Sequence, residues 1–320
     1  MSLDFDSARL PNPHFTEEHD AWRAALRRFI DTEVMPYADD WDEAGAIPTE
    51  LWPKAAEVGL LGLGYPEQFG GTPADSWHSW IVNEELSRVG VGGISASLMV
   101  HGIGLPPVLN WGPEWMQAEV APPVLKGEKW ISLGITEPGG GSDVANLATT
   151  AVRDGDHFVV SGSKTYITGG MRANWVSTAV RTGGEGAGGV SMLLIPTDAE
   201  GFSRTPLDRK MGWWASDTAT LYFDEVRVPV ENLIGSENEG FKVIMTNFNS
   251  ERMGMAAAME AYARVCLEEA VAWATERKTF GKRLADHQVI RHKIAQMKQQ
   301  LNATQAYIRM CYESIEAGTP

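Results

Sequence analysis

Cysteine is nearly absent from this sequence: Cys266 and Cys311 are the only two, far apart and each inside a helix-like pattern. That number and spacing exclude a disulfide framework and a cysteine metal cluster, and they suit a reducing compartment. Both thiols read as small buried hydrophobes. Basic residues are short as well. Lys and Arg total 27 against 42 Asp and Glu, for a formal net charge of −15. Such a balance keeps a protein soluble and argues against a general nucleic-acid surface, which needs clustered cations. Anionic ligands would be held by a few local donors working against the overall field. The first six residues are acidic where a secretory or transit segment is basic, so a cytoplasmic protein without a targeting segment is expected. No spacing of His, Cys, Asp and Glu suggests a metal site.

Charge is missing altogether from Val89 to Trp111, a run long enough to span a bilayer. It holds Gly90, Gly92, Gly93, Gly102, Gly104 and the pair Pro106–Pro107, and it has no basic flank. A buried helix with close backbone contacts is therefore expected rather than a membrane span. His101 within it reads as a satisfied core histidine.

The chain shows two kinds of periodicity in three blocks. Trp22, Leu26, Phe29, Ile30 and Val34 form one apolar helical stripe with Thr16 as N-cap, and further helices are expected over 51–58 and from Trp77 to Leu86. From Trp130 the pattern changes to short β-rich runs at 130–136, 149–153, 157–162, 175–182, 190–196 and 220–228. Asp154–Gly155 is a hairpin signal between two of them. The Gly183–Gly189 segment reads as a turn rather than a phosphate loop, because no helix follows it. Helical period returns at Gly240 and predicts one helix to about Arg277 and another from Gln288 to Ala317. The expected class is multi-domain α+β, with domains at 1–128 (helical), 129–235 (β) and 236–320 (helical).

Four segments carry the chemical signal. Residues 134–143 (GITEPGGGSD) follow a strand and offer backbone N–H groups with few side chains in the way, together with the hydroxyls of Thr136 and Ser142. Residues 161–168 (SGSKTYIT) place an aromatic ring and a hydroxyl near a strand end. A loop from Arg209–Lys–Met–Gly212 through Ser216–Asp–Thr218 leads to an edge-like strand. Arg277–Lys–Thr–Phe280–Gly281, followed by His287–Gln288, makes a helix end, a tight turn and the next helix. Trp213–Trp214 reads as a loop pair packing on the β domain.

In this order and spacing, the four segments resemble the acyl-CoA dehydrogenase family over essentially the whole chain. The resemblance implies an α-helical N-terminal domain, a middle β-barrel-like domain and a C-terminal helical bundle, with FAD as cofactor. It also implies a homotetramer, with electron-transferring flavoprotein as the electron acceptor. By the same resemblance Leu133, Ile135 and Thr136 would line the pyrimidine edge of the flavin. Tyr166, where the family often has tryptophan, would shield the ring beside Ile167, and Thr168 would lie near N5. Ser142 would touch FAD or the CoA chain, while Arg277, Phe280 and Gln288 would reach the FAD of a neighbouring subunit. The family continues with further helices that this sequence does not show, so the C-terminal bundle is expected to be incomplete relative to it.

The implied reaction removes an α-proton from an acyl-CoA thioester as a hydride leaves the β-carbon, and a carboxylate in an apolar pocket suits the base. Phe248, Glu251 and Arg252 share one helical face. In the isovaleryl and long-chain branches a glutamate at the position of Glu251 is the base, whereas other branches take it from a later segment. Asn249 and Arg252, with Phe248 and Ser142, are the expected substrate contacts. A same-fold CoA-thioester reductase, an oxygen-using flavoenzyme and a non-catalytic FAD-containing binding protein are the alternatives.

Overall fold

The computed structural model describes residues 3–208 and 210–318, apart from the side chains of Asn249 and Ser250. Thr16 caps α1 (Glu17–Phe29) and donates its N–H to His19 Nδ1 at 3.1 Å. Acidic residues fill the first turn of α1 and Arg27 and Arg28 the last, the order a helix dipole favours. There follow α2 (Ala38–Ala44), closed by Gly45 in the left-handed region, α3 (Leu51–Glu57) and α4 (Ser76–Ser87). The N-cap of α4 is Asp75, whose carboxylate accepts the His78 N–H. The uncharged run is two helices rather than one: α5 (Gly92–Leu98) and α6 (His101–Trp111) part where Met99 leaves helical geometry. By length and composition this run could cross a membrane, but 61% of its most apolar window is buried inside the fold. Helix α7 (Glu114–Leu125) completes the first helical block.

The β block holds β1 (Ile131–Gly134), β2 (Thr150–Asp154), β3 (His157–Thr168), β4 (Trp175–Arg181), β5 (Val190–Pro196), β6 (Phe202–Pro206), β7 (Thr218–Pro229) and β8 (Leu233–Ile234). Two long helices, α8 (Gly240–Glu276) and α9 (Gln288–Glu316), follow, separated by the small hairpin β9 (Lys278–Thr279) and β10 (Lys282–Arg283). Among the described residues the sheet runs β6-β7-β3-β2-β4-β5-β8, with β1 parallel to β4. The strands β2 and β4 meet only at Thr150 and Arg181. The sheet therefore folds there into two halves around a shared core that includes Phe158, Val176, Leu193 and Leu221. On the opposite face of β4 and β5, Ala179, Met192 and Leu194 join a second core with residues of α6 and α7. Burial on both faces explains why these two strands read as continuous apolar runs.

Two compact units divide the chain. One comprises Met1–Met35, Ala74–Gly90 and Arg252–Pro320; the other comprises Pro36–Pro73 and Val91–Glu251. In the first, Arg264 has no exposed surface and holds Glu84 at 2.6 Å and Glu260 at 3.1 Å. Arg23 adds a 2.7 Å contact to Glu84 and a 2.9 Å contact to Glu85. Burial, aided by the like charge of Glu84, pushes the Glu260 carboxyl up to about 7 against the pull of Arg264. In the second unit, Lys164 is fully buried on β3 and its ammonium donates to Glu137 at 2.7 Å and to the Ile135 carbonyl at 3.2 Å. The Glu137 carboxylate also accepts the N–H groups of Ala148 and Thr149. Burial alone would raise its pKa, but these donors outweigh burial and bring it down to about 2.

Both networks make testable claims. Replacing Lys164 by Met leaves a buried carboxylate without its cation and is expected to cost about 3–5 kcal/mol of stability. The double variant Lys164→Met/Glu137→Gln should regain much of that in urea unfolding; no difference between single and double variants would refute the pairing. For Glu260, the folded state holds its proton more tightly than the unfolded chain, so stability drains away as pH rises from about 4.5 to 7. Glu260→Gln should abolish that drain and gain on the wild type by up to about 3 kcal/mol across the window, as read from urea midpoints at its two ends.

Candidate active site

The end of β1 runs into a four-residue turn in which Glu137 and Gly140 exchange N–H···O=C bonds of 3.1 Å each. The Thr165 N–H donates to the Thr136 carbonyl at 2.8 Å, so the segment from Ile135 to Glu137 is held by β3 through backbone and by Lys164 through side chain. Leu133 and Ile135 direct their side chains into apolar packing, which leaves their backbone as the part that can meet a ligand. Thr136 is half-buried and Ser142 is exposed. A side chain on Gly139 or Gly140 would meet open space, whereas a Cβ on Gly141 would come within 3.2 Å of Thr136 Cγ2. The glycines thus keep one wall of the turn clear of side chains.

Strand β3 changes register against β7 between Lys164 and Ile167. This bulge puts Tyr166 at φ 59°, a conformation that is uncommon for a ring-bearing residue and typical of sites where a side chain is re-aimed. Its ring is 64% exposed, while the flanking Lys164 and Ile167 point into the core. Thr168 is half-buried, and its carbonyl accepts from Ser132 Oγ at 2.8 Å, which joins the ends of β1 and β3. Its cross-strand partner Thr218 lines a cavity of about 640 Å³, together with Lys210, Trp214 and Ser216.

Helix α8 carries the next group. Phe248 packs on the core that α6 and α7 share with β4 and β5, and Glu251 is half-buried one turn later. Glu251 Oε1 accepts from Asn247 Nδ2 at 2.7 Å, a partner that the sequence pattern did not single out. Arg252 is exposed. The side chain of Asn249 and the whole of Arg209 lie outside the described residues. In the other unit, Arg277, Phe280 and Gln288 are all exposed. Phe280 and Gly281 form the two-residue tip of the β9–β10 hairpin, both at positive φ (50° and 78°), and the Phe280 side chain is 97% exposed. This is the turn that matches strand twist, and it presents an aromatic ring at the surface.

These features suit a flat, anionic cofactor such as FAD. The glycine-cleared turn at the end of β1 is tied to β3 by the Thr165–Thr136 backbone bond, one residue before the outward-aimed ring of Tyr166. Other clusters have structural explanations. His101 is buried, its Nε2 donates to the Leu61 carbonyl at 3.0 Å, and burial pulls its pKa down to about 4. His19, Asp75 and His78 converge, but His19 Nδ1 accepts the Thr16 N–H, so its proton is on Nε2 and donates to Asp75. Both ring nitrogens are thereby used in joining the caps of α1 and α4. Trp213 lies over Gly92, where any Cβ would strike its ring, and Trp214 donates to the Lys210 carbonyl. The expectation of two buried cysteines is corrected: Cys266 is exposed because the inward face of α8 is taken by Ala261, Arg264 and Leu267, and Cys311 is half-buried beside Ile308 and Tyr312, which take the inward face of α9.

Profiles of the acyl-CoA dehydrogenase N-terminal, middle and C-terminal domains match residues 16–128, 132–226 and 238–320. The acyl-CoA dehydrogenase AFT10-1 of Alternaria alternata is 37% identical over 96% of this chain and 74% of its own length. The mitochondrial long-chain specific acyl-CoA dehydrogenase of Sus scrofa is 34% identical over 93% and 70%. A solved probable acyl-CoA dehydrogenase from Mycobacterium abscessus superposes with a TM-score of 0.93 at 46% identity, covering 95% of this chain and 81% of that one. FADH2 is bound in a solved glutaryl-CoA dehydrogenase from Mycobacterium smegmatis, which is 26% identical over 95% of this chain and 78% of that one, with a TM-score of 0.88. Together with the fold, these likenesses make the chain an oxidoreductase that belongs to the FAD-dependent acyl-CoA dehydrogenase family.

Proposed function

We propose that this protein introduces an α,β double bond into an acyl-CoA thioester and that Glu251 is the base that takes the α-proton. The observation that carries the proposal is the setting of Glu251. It follows an aromatic residue seated in an apolar core, it is half withdrawn from water, and its carboxylate is oriented by a hydrogen bond. An oriented carboxylate in such a place is suited to accept a proton from carbon, a transfer that depends on distance and alignment. FAD, when bound, supplies a two-electron acceptor for the hydrogen leaving the β-carbon.

The remaining tasks fall to the chain. The Ile135–Glu137 backbone and the Thr136 hydroxyl offer donors and acceptors to the polar edge of a flavin, and Tyr166 covers its face beside Thr168. Ser142 stands on the open side of the turn, within reach of a phosphate or the pantetheine arm. Phe248 supplies apolar wall to an acyl chain, and Arg252 offers a cation to the anionic CoA. The exposed hairpin tip with Arg277 and Phe280, and Gln288 beyond it, suits contact with the cofactor of a second copy, because a guanidinium fork holds a diphosphate bidentately. A homotetramer that passes electrons to an electron-transferring flavoprotein is the assembly this arrangement favours.

The test is an anaerobic visible titration of the purified flavoprotein with octanoyl-CoA, palmitoyl-CoA, isobutyryl-CoA and 3-phenylpropanoyl-CoA. Bleaching of the flavin band by one of them is the expected outcome and identifies the acyl class. A spectrum untouched by the whole panel would favour a reductase, an oxygen-using enzyme or a non-catalytic protein. Glu251→Gln should retain bound FAD and lose reduction by the substrate; reduction at the wild-type rate would remove Glu251 from the role of base.

A further inference from the structure

A helical carbonyl is normally met by an N–H three or four residues ahead. For Ile103 on α6 both donors are missing, because those positions are Pro106 and Pro107 and proline has no N–H. Leaving a carbonyl unmet inside a fold is costly, and here a side chain meets it: Asn247 Nδ2 donates to the Ile103 oxygen at 3.1 Å. The same nitrogen donates to Glu251 Oε1 at 2.7 Å, one turn further along α8. A primary amide nitrogen carries two hydrogens, so these two bonds use both. Turning the amide over would aim its oxygen at two acceptors, so its orientation is fixed as well. Asn247 is itself only 6% exposed.

We propose that Asn247 is a positioning residue for proton abstraction, fastening the Glu251 carboxylate to the acceptor that the Pro106–Pro107 pair leaves on α6. The inference rests on the reading of Glu251 as base. A contact between residues four apart on one helix lets both side chains swing together. The third partner, a backbone atom of another helix, removes that freedom and fixes the plane of the carboxylate. None of the residue types involved is unusual; the arrangement depends on two prolines and one asparagine at matched heights on neighbouring helices.

The experiment is anaerobic stopped-flow reduction of the FAD-loaded protein, using whichever of octanoyl-, palmitoyl- or isobutyryl-CoA reduces the wild type fastest, with and without deuterium at the α-carbon. Asn247→Leu, close in shape but without donors, should slow flavin reduction on the order of 10- to 100-fold. It should also increase the α-deuterium isotope effect, with thioester affinity and FAD content kept. A purely structural role would instead weaken thioester binding and FAD retention together and leave the isotope effect unchanged. Asn247→Asp keeps the shape if the leucine variant does not fold, and it should be slower still, since it sets a second carboxylate beside the first. Wild-type reduction rates in either variant would overturn the inference while leaving Glu251 as base. Wild-type rates in Glu251→Gln would overturn both.

Discussion

Lys164 has no exposed surface, so its ammonium must find its compensation inside the protein, and it does so at the Glu137 carboxylate and the Ile135 carbonyl. Those acceptors flank Thr136 on either side. A charge that cannot reach water therefore holds the end of β1 at a fixed place relative to β3, and the glycine-rich turn starts from that place. The bulge that follows on β3 is the other half of the same arrangement. It lets Lys164 point inward and Tyr166 outward within three residues, which strict alternation would not allow. Burial depresses the ammonium pKa, and the carboxylate opposes that fall. Breaking either partner leaves the other stranded, so the pair holds geometry more than it adds net stability.

The uncharged α6 offers a second kind of polar function, one carried by backbone carbonyls. Gly104 lets the helix approach β1 so closely that a Cβ would lie 2.9 Å from the Ile131 oxygen. Its own carbonyl accepts from Ser177 Oγ at 2.8 Å. One residue earlier, the prolines free the Ile103 carbonyl for Asn247. Glycine and proline, usually read as helix breakers, here make the backbone of an uncharged helix a socket for polar partners on β4 and α8.

Much of this architecture could be read from residues alone. Strand β5 was placed at its observed bounds, and α9 and β7 to within two residues, because their apolar periods are long and their ends carry turn residues. Strand β6 was missed, since its pattern FSRTP has a single large apolar residue, and β8, β9 and β10 are too short to leave a period. The break between α5 and α6 has no proline at the breakpoint to announce it. In the site, Tyr166 stood out by its chemistry, but its left-handed backbone did not, because non-glycine residues rarely adopt it. Glu137 and Lys164 were lost among ordinary surface charges: nothing in the order of residues says that they face each other 27 positions apart. Asn247 was invisible for a related reason. Its importance comes from two prolines on a different helix.

The partners of Glu84 and Glu137 mark both as structural acids. Glu84 is met by Arg264 and Arg23, and Glu137 by Lys164; a full positive charge holds each in place. Both carboxyls are held below their ordinary pKa, and protonating either would leave a buried cation uncompensated. Glu251, by contrast, accepts a hydrogen bond from a neutral amide. An amide orients a carboxylate through a directional bond and loses little when the carboxylate gains a proton, since the protonated group still has an oxygen to accept with. An oriented carboxylate is what a base working on a weakly acidic C–H requires, and on α8 an orienting bond comes from the residue one turn before the acid.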